Sequence, residues 1–237
     1  MNQSGESRQE VNHQHKTGPG ASGFSKQYWD DNYYDINIMD GIYNAKQHAS
    51  YLHALFELEE IYVGTIIDYG FGLGYLMQAL LDAFKPYSVV GIEPSAHAFQ
   101  EVKSREPLTH IETMHIELIQ TDMLSWFQQN QRNYLQSYDL GICTSVFQYL
   151  SDDEIHQVMP WLALWNKYLY FSVPTDIELQ YQVEELGFHD RYAIHRSQET
   201  YHEMLSPHFT IVSTRVLESK VHFTTRNTLF QELFYRF

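Results

Sequence analysis

A single cysteine, few basic residues and no long apolar run limit what this sequence can be. Cys143 is the one thiol in 237 residues. That excludes an intramolecular disulfide framework and a cysteine-based zinc site. Lys and Arg total 15 against 30 Asp and Glu, a formal net charge of −15. A field of that sign repels phosphate backbones, so nucleic acid is not an expected partner. No apolar run approaches the roughly 20 residues that span a bilayer. The N-terminus also lacks the apolar core of a secretory signal. The chain therefore reads as cytoplasmic, with no membrane partner. The 13 histidines include no H-E-x-x-H. His48 and His53, like His110 and His115, are five apart and so off a shared helical face, and no metal site is expected.

Apolar side chains are well supplied, at 43% of residues, and 15% are aromatic, with 18 tyrosines. That suits one sizeable globular domain. Residues 1–23 are rich in Gly, Ser, Gln, Asn and His with little to bury, and read as a disordered tail. Residues 24–237 read as one domain.

Within it, helix and strand patterns alternate. An aromatic-rich segment holding Tyr28, Trp29, Tyr33 and Tyr34 leads into a helix over residues 44–60. Strands are expected at 61–68, 88–93, 116–120, 139–144 and 168–173. The first is a continuous apolar, β-branched-rich run, as a strand buried on both faces is. Helices are expected at 75–84, 95–104, 123–129, 151–165 and 198–205, the fourth opened by an S-x-x-E capping box at Ser151 and Glu154. Residues 174–196 read as irregular, and 208–216 and 228–237 as a closing hairpin. Such alternation implies an α/β fold with a mostly parallel, doubly wound sheet.

The chemistry concentrates at three strand ends. Asp68-x-Gly70-x-Gly72-x-Gly74 follows the first strand and opens a helix, the ligand crevice of an open α/β sheet. Glycines there let the chain turn tightly and a ligand lie against the backbone, and a helix N-terminus suits a carboxylate. Glu93 follows Gly74 by 19 residues at the end of the second strand, where a carboxylate can accept from both ribose hydroxyls. Asp122 and Met123 follow the third strand, placed to meet an adenine amino group and ring. An NAD fingerprint would require a third glycine at the position of Tyr75.

From residue 61 to about 173, and loosely in the closing hairpin, the sequence resembles the class I S-adenosylmethionine-dependent methyltransferases. Motif I matches at 68–74, the ribose acid at Glu93, the adenine position at Asp122 and the fourth-strand motif at 138–150. Many family members carry a histidine where this chain has Tyr149. The resemblance implies a Rossmann-like, seven-stranded sheet with an antiparallel C-terminal hairpin strand. It also implies S-adenosylmethionine as cofactor, bound by Asp68, Gly70, Gly72, Gly74, Glu93, Asp122 and Met123, with Thr144 and Phe147 at the methionine end. Residues 24–60 would be a helical lid segment, 61–173 the cofactor-binding core, and 174–237 the substrate loop and hairpin.

The expected reaction is methyl transfer to a small-molecule acceptor. A protein or RNA methyltransferase, a non-catalytic cofactor-binding protein and, last, an NAD-dependent oxidoreductase are the alternatives. Tyr28, Gln148, Tyr149 and His195 are the candidate substrate-side residues, with His195 the candidate base. The competing reading gives these rings to core packing and His195 to the surface.

Overall fold

The computed structural model describes residues 18–32, 41–105, 114–131 and 137–230. Two short N-terminal helices, α1 (Gly20–Gly23) and α2 (Lys26–Asn32), precede α3 (Ala45–Leu58). The alternation then runs β1 (Thr65–Tyr69), α4 (Tyr75–Phe84), β2 (Ser88–Ile92), α5 (Ala96–Lys103), β3 (His115–Ile119), α6 (Met123–Asn130) and β4 (Tyr138–Thr144). It closes with α7 (Asp152–Trp165), β5 (Asn166–Ser172), α8 (Asp176–Leu186), α9 (Gln198–Leu205), β6 (Phe209–Ser213) and β7 (Val216–Ser219). Among the described residues no helix is long and apolar enough to cross a membrane.

The seven strands form one sheet in the order β3-β2-β1-β4-β5-β7-β6. The first five pair in parallel, and β7 lies antiparallel to both β5 and β6. The order reverses between β1 and β4, which opens a crevice at their carboxyl ends. Continuous apolar strands are needed because both faces are covered. Ile66, Val89, Leu140 and Ile142 pack under α3, α4 and α5, whereas Ile67, Val90 and Cys143 face α6 and α7.

Caps fix the helix starts. Ser95 and Asp122 cap α5 and α6. The capping box is complete at α7: Glu154 N donates to Ser151 Oγ at 3.3 Å, and Ser151 N donates to Glu154 Oε2 at 2.7 Å.

Three sequence expectations need correction. Residues 174–196 are not irregular throughout, because 176–186 form α8. Only Leu179 of that helix is buried, so it has no apolar stripe to betray it. Its markers were the acidic first turn at Asp176 and Glu178 and the C-terminal Gly187 at φ 63°. The second hairpin strand is 216–219, not 228–237, since Arg215 at φ 64° turns the chain back at once; of the expected segment, 231–237 lie outside the described residues. Finally, residues 18–23, assigned to the tail, include the short helix α1, and Gly18 lies against the backbone of Tyr149. A Cβ on Gly18 would stand only 1.8 Å from the Tyr149 carbonyl oxygen, so side-chain absence is what lets this strand of chain dock. Residues 1–17 of the expected tail, and Tyr33 and Tyr34, lie outside the described residues.

One buried polar junction ties the sheet centre to α7. The Asn166 Nδ2 donates to Tyr69 OH at 3.0 Å and to Leu162 O at 2.8 Å. Gly141 on β4 leaves the room this side chain occupies: a Cβ there would stand 2.4 Å from Asn166 Oδ1. Gly141→Ala is therefore expected to destabilise the fold by about 1–3 kcal/mol, read as a lower midpoint in urea unfolding. An unchanged midpoint would mean that Asn166 has another place to go.

Candidate active site

At the end of β1 the chain turns through three left-handed glycines, Gly70 at φ 88°, Gly72 at φ 53° and Gly74 at φ 72°. Gly74 is the N-terminal cap position of α4. Two amides pin the turn to β2: Gly70 N and Phe71 N both donate to Ile92 O, at 2.8 and 3.3 Å. A third, Gly72 N, donates to Glu93 Oε2 at 2.8 Å. The Gly72 amide is thus spent on Glu93. Side chains close in as well. A Cβ on Gly70 would meet Val146 at 2.8 Å, and one on Gly72 would meet the Trp29 ring at 3.3 Å.

Glu93 is 4% exposed. Its other oxygen, Oε1, accepts from Ser95 N at 2.8 Å. Burial raises its pKa to about 7, against the pull of the Ser95 and Gly72 amides. Asp68 is 3% exposed. Burial first, and the charge of Glu93 second, push its pKa up to about 8.

A cavity of about 450 Å³ opens on this loop. Its wall includes Gly70, Gly72, Gly74, Glu93, Asp122, Met123, Thr144, Tyr28 and Tyr149, so these candidates come together. Asp122 does double duty as the α6 cap, accepting from Ser125 N at 2.8 Å and Ser125 Oγ at 2.6 Å.

Four candidates fall elsewhere. Asp68 sits behind the loop, below the wall; Phe147 is fully buried in the core. Gln148 is 3% exposed and lines a neighbouring cavity instead. His195 is exposed and lines neither cavity. The side chain that the same segment buries is Arg196, which donates to Asp152 Oδ1, Phe147 O and Leu150 O at 2.8, 3.2 and 2.6 Å.

The N-terminal helices roof the cavity. Trp29 Nε1 donates to Ser95 Oγ at 2.9 Å, and Ser95 Oγ donates to Phe24 O at 2.7 Å. Tyr28 and Tyr149 hydroxyls lie 3.0 Å apart, and Tyr149 donates to Asp190 Oδ2 at 2.5 Å. Phe24 packs edge-on against both Tyr28 and Tyr149. Sequence reasoning offered the aromatic segment of Tyr28, Trp29, Tyr33 and Tyr34 as a lid but gave no part in it to Ser95 or Asp190. Ser95 was legible as a helix cap; Asp190 carried no signal, because its partners are 41 and 162 residues away.

The neighbouring cavity, about 780 Å³, is walled by the segment after β5, α8, α9 and the hairpin. The two cavities share Ser145 and Tyr149. Ser145 holds φ 55° and donates its N–H to Ser172 O at 2.8 Å, linking the ends of β4 and β5 at this junction.

Residues 66–165 match a family model described as a methyltransferase domain. No curated protein matches the sequence. Among solved structures, the plantazolicin methyltransferase BpumL in complex with SAH aligns at TM-score 0.59 and 14% identity, over 77% of this chain and 70% of that one. Magnesium protoporphyrin IX methyltransferase (ChlM) from Synechocystis PCC 6803 with bound SAH aligns at 0.54 and 20%, over 84% and 94%. Small RNA methyltransferase HEN1 aligns at 0.55 and 17%, over 76% of this chain and 26% of that one. At these identities the likeness is one of fold. Residues 66–165 thus match a methyltransferase domain, and a sheet reversed between β1 and β4, an antiparallel β7 and a triple-glycine turn held by a β2 carboxylate give the chain the Rossmann-like methyltransferase fold.

Proposed function

We propose that this chain transfers a methyl group from S-adenosylmethionine to a small-molecule acceptor, with donor and acceptor in the two adjoining cavities. The observation that carries the reading is the shared wall. The glycine turn and Glu93 bound one cavity, and Tyr149 and Ser145 bound both. On this reading residues 24–60 act as the lid segment, 61–173 as the cofactor core, and 174–237 as the acceptor loop and hairpin.

The first cavity suits the cofactor in size, and its rim offers the right groups. Gly70 and Gly72 let the backbone approach a ligand without a Cβ between them. Each Glu93 oxygen accepts one amide, which leaves a lone pair on each for a ribose hydroxyl. Asp122 and Met123 would flank the adenine, and Thr144 the methionine end. When bound, the cofactor supplies an electrophilic methyl group on a sulfonium. The protein's part is alignment and dryness: Tyr28 and Trp29, both buried, close the roof against water. Asp68 is buried and is not part of the cavity wall.

Among fold neighbours, HEN1 is a small RNA methyltransferase. A net charge of −15 weighs against a phosphate-rich acceptor here.

Two outcomes are expected. S-adenosylhomocysteine binds the purified protein in calorimetric titration and NAD does not; Glu93→Ala weakens that binding at least about ten-fold, roughly the loss of one or two hydrogen bonds to a charged group. NAD binding in its place would overturn the reading.

The second outcome concerns pH. Asp68 and Glu93 titrate near 8 and 7, up from 3.8 and 4.5. The folded state thus favours the protonated carboxyls. The stability this gives is complete below the unfolded values and is lost progressively as pH rises from about 4.5 to about 8. The ligand-free protein should therefore melt at lower temperature as pH climbs across that window, and Asp68→Asn should flatten the slope. A wild-type melting temperature that rises there instead would contradict the assignment.

A further inference from the structure

The described wall of the 780 Å³ cavity carries three carboxylates, Asp31, Glu178 and Asp190, against one guanidinium, Arg215, and two imidazoles, His189 and His202. Arg215 is already turned elsewhere, its Nη1 donating to the His48 ring at 2.9 Å. Gln148 lines the same cavity at 3% exposure, and its Oε1 accepts no hydrogen bond among the described residues. An unpaired buried carbonyl is costly, and a ligand N–H is what would relieve it. A ligand anion would meet three like charges, whereas a ligand cation would meet three opposite ones. The remaining wall is largely apolar and aromatic, with Phe171 and Phe188, surfaces that hold an apolar body and tolerate a cation.

We propose that this cavity binds an acceptor carrying a protonatable amine on an apolar, ring-sized body, its N–H groups read by Gln148 Oε1, Glu178 and Asp190. The word acceptor rests on the methyl-transfer reading; the binding preference does not. The shared wall also gives the amine a way to become a nucleophile. An ammonium has no lone pair and must first lose a proton. Tyr149 OH donates to Asp190 Oδ2 at 2.5 Å. An amine proton passes to the Tyr149 oxygen as the Tyr149 proton passes to Asp190. The nitrogen keeps its electron pair, Tyr149 ends unchanged, and Asp190 ends neutral.

The test uses the full chain, with and without saturating S-adenosylhomocysteine. Three matched probes are titrated by calorimetry: tryptamine, tryptophol and indole-3-propionate, which differ in charge and little in shape. Tryptamine should bind about ten-fold more tightly than indole-3-propionate, with tryptophol between. Glu178→Gln, an exposed helix position, and Gln148→Leu should each weaken tryptamine and leave S-adenosylhomocysteine affinity unchanged. Equal or tighter binding of the propionate, no tryptamine binding, or tryptamine binding indifferent to both variants overturns the proposal. Failure of the methyl-transfer reading looks different: tryptamine binds with the expected preference while S-adenosylhomocysteine does not bind at all.

Discussion

The site is organised around one carboxylate. Glu93 leaves the end of β2 and accepts from Gly72 of the glycine turn and from Ser95 at the start of α5. The same Ser95 takes the Trp29 indole and gives its hydroxyl proton to Phe24 O. Turn, helix cap and roof are therefore held by one buried acid and its neighbour. Charge-assisted hydrogen bonds of this kind are stronger than neutral ones. They partly offset what burial costs the carboxylate, and the pKa of about 7 records that burial still wins.

The sheet's architecture follows from where apolar side chains must go. Alternate residues of β1, β2 and β4 feed two separate cores, one under α3 to α5 and one under α6 and α7. The second is dense in large rings: Trp165 meets Trp126 and Phe127 edge-on at centroid distances of 4.8 and 5.5 Å. Rigid packing behind β1 and β4 fixes their carboxyl ends. The loops that leave those ends then share one crevice, and both cavities open there.

Much of this was legible in the sequence, and what was not has physical causes. β1 announced itself through a continuous apolar run, α3 and α4 through apolar periodicity, and α7 through Ser151 and Glu154. The glycine turn, Glu93 and Asp122 were found because their spacing along the chain is short and tied to strand ends. Helix α8 stayed hidden because it buries only Leu179, so no period marks it. Asp190 and Arg196 stayed hidden because their partners lie 41 to 162 residues away, a separation that no local pattern encodes. His195 drew notice as a histidine near the right edge, but the chain there turns Arg196 inward and His195 out.

The partition between the two cavities is, at Tyr149, a single phenol ring thick. Its hydroxyl meets Tyr28, which lines one cavity, and Asp190, which lines the other, in one hydrogen-bonded cluster. On the proposed reading, a ligand that moved this ring from one chamber would change the free energy of filling the other. Such linkage runs equally in both directions. A partition of this kind would let the two ligands sense each other before any bond between them forms.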